Sequence, residues 1–231
     1  MGITNSRMAI NQWTLSFKER KKNALKKERI MNTVQLKHLF KNEAHKYYAS
    51  KNRSFDVDFD NKNFLNIFCK YFAQDPSFEN DHKGDLNKGL LVYGSNGTGK
   101  TSSFHIIQNI SKKYGVKPLW FPIIETSKVV TQFNTQKDKD YVIQNYSKGR
   151  LLFDDLGAEN EGSNMFIYGK EDIFIRIMEA RYSQFISKKI ITHITTNLKL
   201  IDIKKRYGPR VEDRFVEMFN FIELTGTSRR I

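Results

Sequence analysis

A glycine-rich stretch of eight residues carries the clearest chemical signal in this 231-residue chain. It reads Gly94-Ser95-Asn96-Gly97-Thr98-Gly99-Lys100-Thr101 and matches the phosphate-loop spacing G-x-x-x-x-G-K-[ST]. Glycines let the backbone turn with positive φ, so that successive N–H groups converge on phosphate oxygens. The loop, with the adjoining Ser102, is therefore predicted to bind ATP. Lys100 is predicted to reach the β- and γ-phosphates, and Thr101 to ligate Mg²⁺.

Two acidic residues follow an apolar run further along the chain. Residues 151–153 are Leu-Leu-Phe, and Asp154 and Asp155 come directly after them. A carboxylate at the end of such a strand can hold the hydrated Mg²⁺ that bridges two phosphates, and a neighbouring carboxylate can orient or deprotonate the attacking water. We therefore predict that Asp154 is a metal ligand and that Asp155 acts on the water.

The segments around these residues have patterns that would position them. Residues 90–93 form a short apolar run suited to a buried strand, and residues 101–114 carry apolar side chains at helical spacing. Residues 190–197 predict a further strand, whose last residue, Asn197, would lie near the γ-phosphate in a parallel sheet. The remaining expected elements are strands over 118–124 and 219–224, helices over 33–49, 126–136 and from about 172, and an extended segment over 54–59 before a helix capped by Asp60 or Asn61.

The chain is strongly basic, and the charge is unevenly placed. The formal net charge is +14, which indicates a polyanionic partner such as nucleic acid. Residues 1–53 hold thirteen Lys/Arg against three Glu, which is +10 of that total. Within them, residues 17–29 are equally compatible with a nucleic-acid arm, a partner-docking segment or a solvated helix. Residues 137–150 mix basic residues with tyrosines, which suits either a single-stranded DNA path or a solvated connector.

Composition excludes several classes of protein. The single cysteine, Cys69, rules out a disulfide framework and favours a reducing compartment. No apolar run approaches the ~20 residues of a transmembrane helix, and the amino terminus lacks the hydrophobic stretch of a signal peptide. We therefore expect a soluble, cytoplasmic protein without a membrane partner. The histidines show no metal-binding spacing, and His193 is expected to be packed inside the protein.

In combination, these pieces resemble the AAA+ family, specifically the branch of DnaC-type helicase loaders and IstB-type transposition ATPases. The similarity covers about residues 88–230. The residues that carry it are Leu90 to Thr101, Leu151 to Glu159, Arg181-Tyr182, Thr195-Thr196-Asn197 and Gly208-x-Arg210-Val211-x-Asp213-Arg214. The resemblance implies an α/β fold, a P-loop NTPase (AAA+) core with a central parallel sheet flanked by helices. To this we add a small, mainly helical, basic amino-terminal region, residues 1–55, for binding a partner or nucleic acid, with the ATPase domain over 56–231.

The resemblance also implies residue roles. Asn197 matches the sensor-1 polar residue, and Arg214 matches the arginine finger that enters the ATP site of a neighbouring subunit. Arg210 matches a second basic position on the same helix, and Arg230 resembles the arginine that follows the last strand, with no role assigned. Self-association through Arg214 would complete a catalytic set that also contains Lys100, Asp154, Asp155 and Asn197.

The leading expectation is an ATP-binding and ATP-hydrolysing protein that binds single-stranded DNA and loads or remodels a replicative helicase during DNA replication. An alternative within the family is a transposition helper that acts with a transposase. Two alternatives of another class are a P-loop kinase and a nucleotide-gated adaptor that rarely hydrolyses ATP. Asp155 is shorter than the glutamate that many AAA+ proteins carry at this position, so the adaptor remains an alternative.

Overall fold

The computed structural model describes residues 31–158 and 172–230. Within them, five parallel strands form one sheet in the order β2-β3-β4-β1-β5. Because all neighbouring strands are parallel, the chain leaves the sheet after each strand and returns to it through a crossover that contains helices. The strands are β1 (Gly89–Tyr93), β2 (Ile123–Glu125), β3 (Leu151–Leu156), β4 (Thr192–Thr196) and β5 (Phe219–Glu223).

Helices flank this sheet, as predicted. They are α1 (Thr33–Ala49), α2 (Phe59–Phe72), α3 (Ser77–His82), α4 (Lys100–Tyr114), α5 (Thr126–Thr135), α6 (Lys139–Ser147), α7 (Ile173–Lys188), α8 (Leu200–Tyr207) and α9 (Pro209–Met218), with a 3₁₀ turn over Lys117–Leu119. Alternate residues of β1 face opposite sides of the sheet. Leu90 and Val92 join a core cluster with α1, α2 and α4, while Leu91 joins a second cluster with α5 to α9.

The first helix, α1, belongs to the same core as the helix that follows the glycine loop. Asn32 caps it in a reciprocal capping box with Gln35, which explains why the helix begins where the sequence pattern predicts. Leu36, Phe40 and Ala44 are buried in the cluster that also holds α4. The division of the chain at residues 55 and 56 stays a prediction, and part of the region before it packs on the sheet.

Several expected elements differ from the structure. The strand over 118–124 is wrong at its start, because Pro118 lies in the 3₁₀ turn and β2 begins only at Ile123. The cap of α2 is Asp58, whose carboxylate accepts the N–H groups of Asp60 and Asn61, so Phe59 is the first helical residue and not the end of an extended segment. Helix α6 occupies most of the stretch 137–150. The basic run over 17–29 lies outside the described residues.

The interior histidine and the cysteine are both core residues. His193 accepts a hydrogen bond from the Leu90 backbone N–H at its Nδ1 (3.1 Å), and full burial holds its pKa well below the usual range. Burial likewise raises the pKa of the Cys69 thiol to about 12. Across the described ranges, no helix is both long and apolar enough to span a bilayer, and no three His, Cys, Asp or Glu residues gather as a metal cluster.

Candidate functional site

The glycine loop joins β1 to α4 in a conformation that requires its glycines. Gly94, Gly97 and Gly99 all have positive φ, at 143°, 80° and 107°. A Cβ at Gly94 would lie 2.2 Å from the carbonyl oxygen of Leu224, and a Cβ at Gly97 would lie 2.2 Å from Ser228 Oγ. Because α4 begins at Lys100, directly after the loop, free backbone N–H groups and the positive end of the helix dipole meet here.

The ammonium group of Lys100 lies between the loop and the end of β4. Its Nζ donates to the carbonyl oxygens of Gly94 (2.8 Å) and Ser95 (2.9 Å) and to Asn197 Oδ1 (2.7 Å). Burial lowers the pKa of Lys100 from its ordinary value. The sequence places Lys100 and Asn197 97 residues apart, and the parallel pairing of β1 with β4 brings them into direct contact.

Asp154 collects hydroxyl groups from two other elements. Its Oδ1 accepts from Thr101 Oγ1 (2.7 Å) and from Thr195 Oγ1 (2.6 Å), and the residue is only 7% exposed. Carboxylate and hydroxyl oxygens are the donor types that Mg²⁺ prefers. The adjacent Thr101 and Asp154 therefore fit the predicted metal position. In the sequence, Thr195 is part of a motif for which no role of its own is predicted.

Asp155 has an unusual backbone conformation. Its φ is 56°, and the pairing of β3 with β4 is irregular between Phe153 and Leu156. Two threonines fix this geometry, since the Asp155 N–H donates to Thr195 Oγ1 and its carbonyl accepts from Thr126 Oγ1, both at 2.9 Å. Burial, followed by the charge of Asp154, raises the pKa of the Asp155 carboxyl. A left-handed aspartate in a strand costs free energy, and such strain is concentrated at functional sites.

A cleft opens above the loop and is lined from distant parts of the chain. Tyr48 and Arg53 reach it from the end of α1, and Arg229 and Arg230 reach it from the carboxyl-terminal tail. The other lining residues are Asn96, Gly97, Gly99, Lys100, Thr101, Ser102 and Asp155. The cleft therefore brings four cationic side chains to the predicted phosphate position, three of them arginines that the loop motif did not indicate.

Residues 226–230 form a tail that lies across the loop and is held there by hydrogen bonds and an ion pair. The Arg229 N–H donates to the Gly97 carbonyl (2.9 Å), and the Arg229 guanidinium forms a bidentate pair with Asp58 at 2.6 and 2.9 Å. Arg53 donates to the Arg230 carbonyl at 3.3 Å. The Arg229 guanidinium holds the pKa of Asp58 below its usual range. No local pattern predicts these contacts, because the partners lie more than 130 residues apart in sequence.

A second cavity of about 260 Å³ adjoins the loop. Its apolar and aromatic walls include Tyr48, Phe55 and Phe64, and its polar groups include Asn61 and Ser103. It shares Tyr48, Arg53, Gly99 and Arg229 with the phosphate cleft. A polar cleft next to an aromatic cavity is the arrangement expected for a phosphate chain and its attached base.

The predicted arginine finger lies elsewhere on the molecule. Arg214 Nη1 is 2.7 Å from Glu179 Oε1, and its guanidinium lies 5.0 Å from the centre of the Tyr182 ring. Its side chain is 16% exposed, whereas the Arg210 side chain, 3.3 Å from the same Glu179 oxygen, is 74% exposed. Neither arginine is among the described residues that line the cleft. The role of Arg214 in a neighbouring site stays a prediction.

Arg181, another residue of the family pattern, is buried and forms hydrogen bonds that connect elements of the fold. It is 1% exposed, and its guanidinium donates to the carbonyls of Tyr146 (2.7 Å) and Gly149 (2.8 Å) and to Thr192 Oγ1 (2.5 Å). These bonds tie the end of α6 and the start of β4 together, close to the amino-terminal ends of the strands that carry Asp154 and Asn197.

The fold and the arrangement of the site define the class. A parallel sheet with a phosphate loop after β1, a polar residue after the neighbouring β4 and acids on β3, on the far side of β4, is the arrangement of a P-loop nucleotide-binding core. Solved structures with this fold include a DnaC helicase loader, at 21% identity with 74% of this chain and 93% of that chain covered and a TM-score of 0.50. DnaI gives 22% identity, 76% and 88% coverage and a TM-score of 0.53.

The replication initiator DnaA, bound to AMPPCP and single-stranded DNA, is also similar, at 18% identity. The match covers 79% of this chain and 50% of that chain, with a TM-score of 0.52. No family model matches the sequence, and no curated protein sequence does. The predicted resemblance to DnaC-type AAA+ helicase loaders is thus confirmed in the fold, while roles of individual residues rest on the geometry described above.

Proposed function

We propose that this protein binds and hydrolyses ATP at the glycine loop, and that ATP-bound subunits assemble on single-stranded DNA to load or remodel a replicative helicase. The observation that carries the proposal is the Lys100–Asn197 contact beside the Thr101–Asp154 contact. Together they join the loop to the ends of β3 and β4. An ammonium, a carboxylate and an amide would therefore surround the phosphates of a bound nucleotide.

The residues of the cleft divide the chemistry among them. Lys100 would exchange its loop carbonyls for the β- and γ-phosphates, while Thr101 and Asp154 would hold Mg²⁺, which neutralises phosphate charge when it is bound. Asp155 would orient the attacking water and accept its proton, a task that its raised pKa favours. Asn197 would contact the γ-phosphate, and the base would occupy the aromatic cavity beside Tyr48.

The last catalytic group would come from a neighbouring subunit. The arginines of α9 do not line the cleft of their own chain, and Arg210 is mostly exposed. An arginine supplied in trans is worth about 10³ to 10⁵ in hydrolysis rate. Hydrolysis would therefore depend on assembly, and isolated subunits would hold ATP with little turnover.

The surface of α5, α6 and the residues that flank α6 would carry the DNA. Lys128, Lys137 and Lys148 are exposed there, and Tyr141 is 51% exposed and available for base stacking. The similarity of fold to DnaA bound to single-stranded DNA is compatible with this use. A protein that neutralises several phosphates loses DNA affinity steeply with salt. Fluorescence anisotropy with a labelled oligonucleotide measures this affinity. If the affinity does not change with salt concentration, this basic surface is not where DNA binds.

The decisive test measures phosphate release with and without single-stranded DNA. Wild type should be stimulated by DNA and by rising protein concentration, and Lys100→Ala should be inactive. Lys112→Ala, at the other end of α4, is the matched control and should behave as wild type. Transfer of phosphate to a nucleoside would show a kinase instead. Tight ATP binding without turnover at any concentration would show the nucleotide-gated adaptor.

Helicase loading requires a separate assay. Replicative helicase from the same host, mixed with circular single-stranded DNA, should be loaded only when wild-type protein and ATP are present. Stimulation of a transposase by the same preparation, with no helicase loading, would favour the transposition helper.

A further inference from the structure

A groove lies between α1, α2 and the segment that joins them. It encloses about 640 Å³. Its apolar surface comes from Phe40, Phe55, Leu65 and Cys69, with Val57 and Phe59 along one edge. We call it the α1–α2 groove. None of its lining residues lines the phosphate cleft, while Phe55 and Leu65 also line the aromatic cavity, so the groove adjoins that cavity on the side away from the phosphate loop's own residues.

One edge of the groove carries an aromatic side chain that the fold does not use. Phe59 is 96% exposed and Val57 is 49% exposed. The backbone of Phe59 is nonetheless held in place, because it is the first residue of α2 and Asp58 caps that helix with two backbone hydrogen bonds. An exposed phenylalanine on an ordered helix start beside an apolar groove is typical of a binding surface, where aromatic anchors supply most of the affinity.

The rest of the rim is positively charged. Lys37, Lys41 and Lys62 line the groove. Lys37 donates to the neutral Asn66 side chain at 2.6 Å, and within residues 31–158 and 172–230 neither Lys41 nor Lys62 has an ion-pair partner. This charge disfavours the chain's own residues 1–30 as the occupant, because they carry eight Lys/Arg against two Glu. It favours an acidic occupant.

We propose that the α1–α2 groove binds an amphipathic helix of a partner protein, with apolar side chains on one face and Asp/Glu beside them. Helices that enter apolar grooves place anchors at i, i+3 or i+4, and i+7. The acidic flanks would meet the three lysines, and an apolar anchor would pack against Phe59. This surface acts independently of ATP hydrolysis.

The test uses two labelled peptides of about 18 residues, or five helical turns, with the same Leu/Phe face. One has Glu on its flanks and the other has Lys. With full-length protein, fluorescence anisotropy should show the Glu peptide binding roughly tenfold or more tightly, and Phe59→Ala should weaken it by about tenfold. The double variant Lys41→Glu with Lys62→Glu should reverse the preference. Val34→Ala, which changes an exposed residue of α1 outside the groove, is the control.

Three results would overturn the proposal. Equal affinity for the two peptides, or affinity unaffected by Phe59→Ala, would show that the groove does not select an acidic helix. Tighter binding of a peptide of residues 8–30 would identify the chain's own segment as the occupant. Self-association in analytical ultracentrifugation that disappears with Phe59→Ala would identify a second copy. Lys100→Ala should leave peptide binding intact, so failure of the proposed ATPase is distinguishable.

Discussion

The phosphate cleft and the Arg210–Arg214 face of α9 carry the charges that the proposed function assigns to hydrolysis, and the two regions are built differently. In the cleft, Lys100 and Asp154 are 5% and 7% exposed and already contact Asn197 and Thr101. On α9, Arg210 is mostly exposed, and both arginines share a single partner, Glu179. The buried groups of the cleft are organised by their own chain, whereas on α9 only Arg210 is mostly exposed and Arg214, 16% exposed, is held by Glu179 and the Tyr182 ring.

This difference is what we expect if one subunit binds the nucleotide and its neighbour supplies the group that triggers hydrolysis. Groups that bind the nucleotide must be in place before it arrives, and burial fixes them at little entropic cost during binding. A group that triggers hydrolysis is useful as a signal only if it is absent until assembly. Arg214 is held by Glu179 and by the Tyr182 ring, and the proposed shared site requires it to exchange that carboxylate for a phosphate of a neighbouring subunit.

Of the substitutions that test this difference, Arg214→Ala should change the ATPase rate most. With Arg214→Ala, the ATPase rate of the assembled protein should fall by about 10³ to 10⁵, because the trans cation is lost. The affinity of the isolated chain for ATP should stay unchanged, since Arg214 does not line its own cleft. Phosphate release and fluorescent-nucleotide titration measure the two quantities. Lys205→Ala, on the exposed surface of α8, is the control, and an equal loss there would show a general charge effect.

Asp155→Asn should lower hydrolysis by about 10² to 10⁴ while ATP still binds, because the amide cannot accept the proton of water. The wild-type rate should also fall as the pH drops through the Asp155 pKa, since only the ionised carboxylate acts as a base. Burial and Asp154 raise that pKa, so the decline should begin above the ordinary aspartate range. A rate of Asp155→Asn equal to wild type, or a flat acid limb, would remove Asp155 from the mechanism.

Substitutions of two arginines of contrasting burial should differ in their effect on the free energy of unfolding, and not in their effect on the ATPase rate. Arg181→Met would leave the carbonyls of Tyr146 and Gly149 without a donor in the interior, which should lower the free energy of unfolding by about 3 kcal/mol. Arg210→Ala should change it by less than about 0.5 kcal/mol, because that side chain is mostly exposed. Urea denaturation measures both. Similar values for the two variants would contradict the structural position assigned to Arg181.

The sequence predicted the parts of the site whose signal is local. The glycine spacing from Gly94 to Thr101 reflects a backbone shape that few other residues can adopt, so it marks the loop directly. The apolar run before Asp154 and the β-rich run before Asn197 likewise identify β3 and β4. Since carboxyl ends of parallel strands meet at one edge, their convergence followed from the fold class.

The remaining parts depend on contacts between distant residues. Tyr48, Arg53 and Arg229 reach the cleft only because α1 and the tail pack beside the loop, and no spacing in the sequence indicates that. The wrong start of β2 has a local cause, since Pro118 is accommodated in the first turn of a 3₁₀ helix as well as at a strand end. The cap at Asp58 was misplaced because three acidic or amide residues, Asp58, Asp60 and Asn61, could each have served.

Mixing two inactive variants tests the shared site most directly. A Lys100→Ala subunit lacks the phosphate lysine but offers an intact Arg214, and an Arg214→Ala subunit offers the reverse. If one site is built from two chains, the mixture should regain ATPase activity at the junction where both intact residues meet, while each variant alone stays inactive. A mixture as inactive as its components, with assembly verified by analytical ultracentrifugation, would contradict the shared site.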